Sequence, residues 1–199
     1  MANDPNVRGL MPINSPQGNV KLGIYRANTA LAIFRNQPVA LNNSGQVAVA
    51  AVGDNTPLLG SAVGFLDLTR AGLPSGMTTL TQAANLPIST DAYVLVADDP
   101  NQLFLMEEDT GGTALTTSAI GNSVNWTYQA TTGNATTGYS TALIDRDTVG
   151  TGTDGMLQIL EVYDIKNQDG TDNLAGDFAK WVVRISDHQL GPTKLALAI

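Results

Sequence analysis

The chain has 199 residues, 43% of them hydrophobic and 14% charged, with 10 Lys and Arg against 18 Asp and Glu for a net charge of −8. A chain of this length buries roughly 70% of its unfolded surface, and this hydrophobic content excludes a disordered protein, while the acidic field repels a phosphate backbone and excludes nucleic acid as an expected partner. The absence of cysteine excludes a disulfide framework, a thiolate nucleophile and a cysteine zinc site, and no apolar run approaches the ~20 residues of a membrane-spanning helix.

Residues 1–19 carry Pro5, Pro12, Pro16, Gly9 and Gly18 among scattered apolar positions. Prolines fix φ and remove donors, so the segment reads as an extended N-terminal arm. Leu10, Met11 and Ile13 give the arm apolar surface to bury against a partner, and removing residues 1–18 is expected to weaken attachment while leaving the fold intact. Val20–Tyr25 then alternates, with Val20, Leu22 and Ile24 on one face of a strand. Further strands are expected over Ala30–Phe34, over Val39–Leu41 after Pro38, over Gln46–Val52 and over Leu58–Leu66. Asn42-Asn-Ser-Gly45 and Gly53–Pro57 are the intervening turns. Thr78–Asn85 fits one short helix. Tyr93–Val96 and Leu103–Met106 flank the Asp98–Asn101 turn.

Past Gly111-Gly112 the chain becomes rich in Thr and Gly, and strands are expected over Val124–Gln129, Ser140–Ile144, Met156–Ile165 and Lys180–Ser186. It closes on the apolar tail Leu195-Ala-Leu-Ala-Ile199, whose Leu195, Leu197 and Ile199 join Leu10, Met11 and Ile13 as candidate assembly contacts. Short strands punctuated by turns, without a long amphipathic helix, predict an all-β barrel or sandwich with at most short helices. The expected organisation is an arm over 1–19, a β-barrel-like subdomain over 20–110 and a second β subdomain over 113–199.

The strings that imitate catalytic or binding motifs fail on context. His188 beside Asp187 suggests a dyad, but the nearest serine elbow, Gly138-Tyr-Ser-Thr-Ala142, lacks the second glycine and the strand–turn–helix setting. Gly150-Thr-Gly-Thr-Asp-Gly155 matches a dinucleotide fingerprint by letter, yet it runs into the strand-like Met156–Val162 instead of a helix. Of the acidic runs, Asp98-Asp99, Glu107-Glu-Asp109 and Asp164–Asp172, the last resembles a calcium loop. Its first position would be Ile165 and its twelfth Gly176, so both key carboxylates are missing. The sequons at Asn125 and Asn134 are chance matches in a Thr- and Asn-rich region. No catalytic, cofactor or metal residue is expected, and the protein is expected to be no enzyme.

The low charge content bears on function. Ordinary soluble domains carry about 25% charged residues. Lys and Glu are costly to desolvate and to order, so a chain poor in both suits a surface that neighbours cover, as it also suits a Thr- and Asn-rich β protein. The start Met-Ala-Asn-Asp-Pro has neither the basic nor the apolar region of a secretory signal, and synthesis in a cytoplasm is expected.

Three strings together carry a resemblance. Tyr93-Val-Leu-Val-Ala-Asp-Asp-Pro-Asn-Gln-Leu-Phe104 with Glu107-Glu-Asp109, then Ile120-Gly-Asn122 with Thr136–Asp145, then Met156–Val162 with Val182–Gln189, resemble successive segments of tailed-bacteriophage structural proteins. The similarity covers the last half of the chain and, more loosely, Ala30–Leu66. It implies a β-rich virion protein of the capsid decoration or cement type on the capsid surface. The implied partners are the major capsid protein and copies of itself, a trimer suiting three-fold capsid positions. The alternative is a tail or baseplate module binding a host glycan through Trp126, Tyr128 and Tyr139.

Overall fold

The computed structural model describes residues 3, 5–13, 18–28, 30–53, 57–67, 80–81, 85–89, 91–150, 155–167 and 170–191. The strands in chain order are β1 (Met11–Pro12), β2 (Leu22–Arg26), β3 (Ile33–Phe34), β4 (Gln37–Leu41), β5 (Val47–Val49), β6 (Gly60–Asp67), β7 (Leu80–Thr81), β8 (Asn85–Leu86), β9 (Ala92–Ala97), β10 (Leu103–Glu107), β11 (Ser123–Gly133), β12 (Ser140–Asp145), β13 (Leu157–Val162) and β14 (Lys180–Ile185). The fold is all-β, with curled sheets forming a half-barrel. Among the described residues the only helical turns are 3-10 turns at Thr117–Ala119 and Arg146–Thr148, and no helix is long and apolar enough to cross a membrane.

One sheet runs β2-β9-β6-β4-β5, with β7 added to β6, and the other runs β1-β10-β14-β13-β11-β12. The first curls until its two ends meet: Ala27 bridges Val47, and the Asn28 N–H donates to the Val47 carbonyl at 2.7 Å. Its concave side buries Ile33, Val39, Val47, Phe65, Val94 and Val96. Period-two alternation sends the next residue along β4, Ala40, to the opposite side. There Ala40, Ala50, Leu58 and Ala97 join the second core, built on Trp126, Trp181, Phe104, Ile144, Leu157 and Ile159. The first sheet is therefore packed on both faces over part of its area, and the second closes over its convex side.

Close approach of the β6 and β9 backbones within the first sheet depends on Gly60, where a Cβ would stand 2.0 Å from the Ala97 carbonyl oxygen at a φ of +156°. That oxygen belongs to a buried strand and cannot swing aside. Gly60→Ala is expected to lose about 1–3 kcal/mol in urea unfolding, and an unchanged midpoint would show that the β6–β9 ladder opens more easily than this packing allows.

The structure alters one sequence expectation and adds to two others. The alternating face of Val20–Tyr25 is turned outward at its centre: Leu22 is 43% and Ile24 47% exposed, while Tyr25 packs on the half-barrel core. Tyr25 is held there by its hydroxyl, which donates to Asp98 Oδ2 at 2.5 Å. The helix expected over Thr78–Asn85 is not formed at its described residues. Leu80 and Thr81 pair with Leu66 and Phe65, and Asn85 opens β8, so a waiting strand partner overrides local propensity. Finally, the chain changes sheets at the Asp98–Gln102 turn, ahead of Gly111-Gly112. That turn is closed by Gln102 N–H to the Asp99 carbonyl at 2.9 Å, and it places β10 in the second sheet beside β14.

Candidate functional site

The densest polar cluster gathers around Arg146, at the 3-10 turn that follows β12. Its side chain is 3% exposed, and its NH1 lies 2.7 Å from Asp177 Oδ1 and 3.4 Å from Glu108 Oε1. NH2 donates to the Gly112 carbonyl at 3.2 Å and Nε to that of Gly111. Glu108, itself fully buried, also accepts a hydrogen bond from Trp181 Nε1 at 2.9 Å. The two glycines that looked like a domain boundary thus form a loop whose carbonyls are spent on one guanidinium. A planar fork with five donors suits this arrangement, and an ammonium does not.

Burial pushes the Glu108 carboxyl up to about 7, against the opposing pull of the Trp181 N–H, Arg146 and the Leu115 backbone. A folded-state value above the unfolded one means the contribution is complete below the ordinary carboxylate range and is lost as pH rises through about 7. His188 works in the other direction. Burial lowers its value, so its contribution is complete above the ordinary histidine range and falls as the pH drops. The two oppose each other in mild acid, and Glu108 sets the slope above it. Unfolding free energy of the wild type is expected to fall by on the order of 2 kcal/mol between pH 5.5 and 8, and Glu108→Gln, measured over the same range, should flatten that slope.

His188 belongs to a clasp that ties the end of the second sheet to the first. Leu58 N–H donates to the Asp187 carbonyl at 3.0 Å, and Gln189 N–H returns to the Leu58 carbonyl at 2.8 Å. The Gln189 side-chain amide then mimics a peptide: Oε1 accepts from Leu41 N–H at 2.7 Å and Nε2 donates to the Leu41 carbonyl at 3.2 Å. The His188 ring is buried, with Nδ1 accepting from Leu190 N–H at 3.0 Å. Among the described residues no serine is hydrogen-bonded to it, and Ser140 instead donates through Oγ to the Thr132 carbonyl at 3.2 Å.

The other motif-like strings are structural in the same way. Residues 151–154 of the Gly150–Gly155 string lie outside the described residues, and Gly155 leads through Met156 into β13. In the acidic Asp164–Asp172 run, Lys166 pairs with Asp172, and Asn167 Nδ2 donates to the Asp172 carbonyl at 3.1 Å. Asn173 next to it bridges the Tyr163 and Lys180 carbonyls at 2.9 Å each. Asp169 lies outside the described residues. Among the described residues no group of three or more His, Asp or Glu side chains is placed to hold a metal ion. Of the three aromatics considered for a glycan platform, Trp126 is 1% exposed and meets Tyr128 edge-to-face at 5.0 Å. Tyr128 accepts a hydrogen bond from Gln37 Nε2, and Tyr139 is stacked under Arg8 at 5.5 Å.

The candidate assembly contacts divide. Leu10 is 0% exposed within this chain's own core, so it has no surface to offer a neighbour. That corrects its expected role: the arm folds back as β1, where Met11 and Pro12 pair with Leu105 and Phe104. Met11 and Ile13 remain half-buried. Leu195, Leu197 and Ile199 lie outside the described residues. Sequence reasoning missed the Glu108–Arg146–Trp181 cluster, whose only local sign was the excess of carboxylates at Glu107-Glu-Asp109. Comparison with known proteins gives no family model, no curated protein and no solved structure that matches the chain.

Proposed function

We propose that the protein is a non-enzymatic structural component of a tailed-phage particle, decorating or cementing the capsid surface through contacts with the major capsid protein and with copies of itself. The observation that carries this reading is the character of its surface. Leu174 is 66% exposed, Ile88 59%, Leu31 52% and Leu190 50%, on a chain of which only 14% is charged. Single exposed apolar residues are ordinary on any protein. Combined with so few Lys and Glu, they lower the cost of covering the surface, because little charge has to be desolvated and few long side chains have to be ordered. The resemblance of the second half of the chain to virion structural proteins supports the same reading.

Quantitative mass spectrometry of purified particles tests it, counting this chain against the major capsid protein. A ratio of the same order as the capsid protein is expected. A handful of copies per particle would move the protein to the tail or a vertex, and absence from the particle would remove the structural role.

A further inference from the structure

The two sheets have four ends, and three of them are guarded. At β1 the edge is 2 residues long and holds Pro12, which has no N–H to offer. The β12 edge is covered at both ends of the strand: Ser140 N–H donates to the Arg35 carbonyl at 2.8 Å, and Asp109 N–H donates to the Ile144 carbonyl at 3.0 Å. At the seam of the half-barrel, β5 is 3 residues long and meets Ala27 at Val47. Val47 is also the first residue of β5, so its parallel neighbour ends where β2 continues back towards Leu22.

Among the described residues the fourth end, β2, is met only beyond its last residue, where Ala27 bridges Val47, and its own edge carries none of these devices. Its ladder to β9 runs from Leu22 opposite Ala97 to Arg26 opposite Tyr93 without a register shift. Between Leu22 and Tyr25 there is neither a proline nor a charge, and Arg26 at its end is already paired with Asp91 at 3.1 Å. Leu22 and Ile24 stand half-exposed on its outer face. An unguarded edge with an apolar face is a template for another strand.

We infer that two copies of this chain pair antiparallel through the free edge of β2, with Leu22 of each opposite Ile24 of the other. The strand complements itself only in such a register. Side chains alternate in period two, so a slip by one residue would put Leu22 opposite an inward-facing position. With Leu22 across Ile24 the two-fold axis passes beside Gly23, which has no side chain to obstruct it, and all four outward apolar groups form one cluster. The contact is small: β2 has 5 residues, against the roughly 20–30 per side of a standing interface. It therefore favours reversible pairing at high local concentration, as among copies held on one surface. The pairing does not depend on what that surface is.

The chain has no cysteine, so single cysteines report the register cleanly. Directly opposite residues of an antiparallel pair fall within disulfide reach, whereas neighbours along one strand do not. Leu22→Cys mixed with Ile24→Cys and oxidised should give a covalent dimer in at least ~tenfold higher yield than either variant alone. Equal yields from the mixture and from the single variants, or no dimer in the mixture, would overturn the register. In a sedimentation-velocity concentration series, Ile24→Lys should need at least ~tenfold more protein to dimerise than the wild type, with an unchanged melting temperature because the position is half-exposed. A wild type that stays monomeric throughout, or a lysine variant that associates equally well, would overturn the pairing itself.

Discussion

Arg146→Ala is expected to remove about 3–5 kcal/mol of folding stability, read as a lower urea midpoint at unchanged m-value. The guanidinium is the only cation within 4 Å of Glu108, Asp109 and Asp177 among the described residues, at 3.4, 3.6 and 2.7 Å. It also takes the carbonyls of Gly111 and Gly112. Truncation strands these groups together: Glu108 keeps only neutral donors, the Trp181 N–H and the Leu115 backbone, and two backbone acceptors lose their donor. Glu108 would respond by holding its proton to higher pH, which limits the loss and makes it smaller in acid than at pH 8. Arg146→Lys should fall between the two, since a point charge cannot serve two carboxylates and two carbonyls at once. Pairing Arg146→Met with Glu108→Gln should recover part of the loss, because a buried ion pair is weak evidence of net stability while half of one is costly. A loss below 1 kcal/mol for the alanine variant would mean that water fills the site and the cluster is not dry.

Much of the fold was legible because period-two alternation and turn chemistry are local. Tyr93–Val96, Leu103–Met106 and Lys180–Ser186 could be placed as strands from their branched and aromatic residues and the polar turns on either side. What could not be read is which strand meets which. Asn85 lies in a stretch with helical composition, and only its pairing opposite Phe34 makes it extended. The Arg146 cluster was hidden for the same reason, since Glu108 and Arg146 are 38 residues apart and Glu108 and Trp181 are 73 apart. Leu22 and Ile24 share one face as the alternation indicates, but an alternating strand carries two faces, and the sequence does not say which one the core takes. The decision rests with Tyr25, whose partner Asp98 stands directly after the last residue of β9.

The arm was expected to be dispensable for folding, and the structure assigns it a different weight. Deleting residues 1–18 should abolish cooperative unfolding or leave a protein at the margin of stability, visible as loss of a sharp thermal transition. Leu10 is fully buried. Its N–H donates to the Asn36 carbonyl at 2.8 Å, and its carbonyl accepts from Ser61 Oγ at 2.5 Å. Gly9 permits this approach, since a Cβ there would lie 2.4 Å from the Asn36 oxygen at a φ of +71°. Further along, Ile13 N–H donates to the Leu103 carbonyl at 2.9 Å, and Asn6 N–H meets the Glu107 carboxylate at 3.1 Å. Leu10→Ala alone should cost about 2–5 kcal/mol, a large share of the 5–15 kcal/mol that typically holds a domain together. Deletion adds the exposure of Phe104 and leaves the Ser61 hydroxyl without its partner. If the shortened chain instead melts like the wild type, the arm's contacts contribute nothing net and Leu10 fills a site that can collapse without it. A loss of particle attachment after this deletion would therefore report unfolding as readily as a missing contact. Attachment is better probed at Ile88 or Leu174, whose side chains already face solvent and whose replacement by lysine should leave the melting temperature where it was.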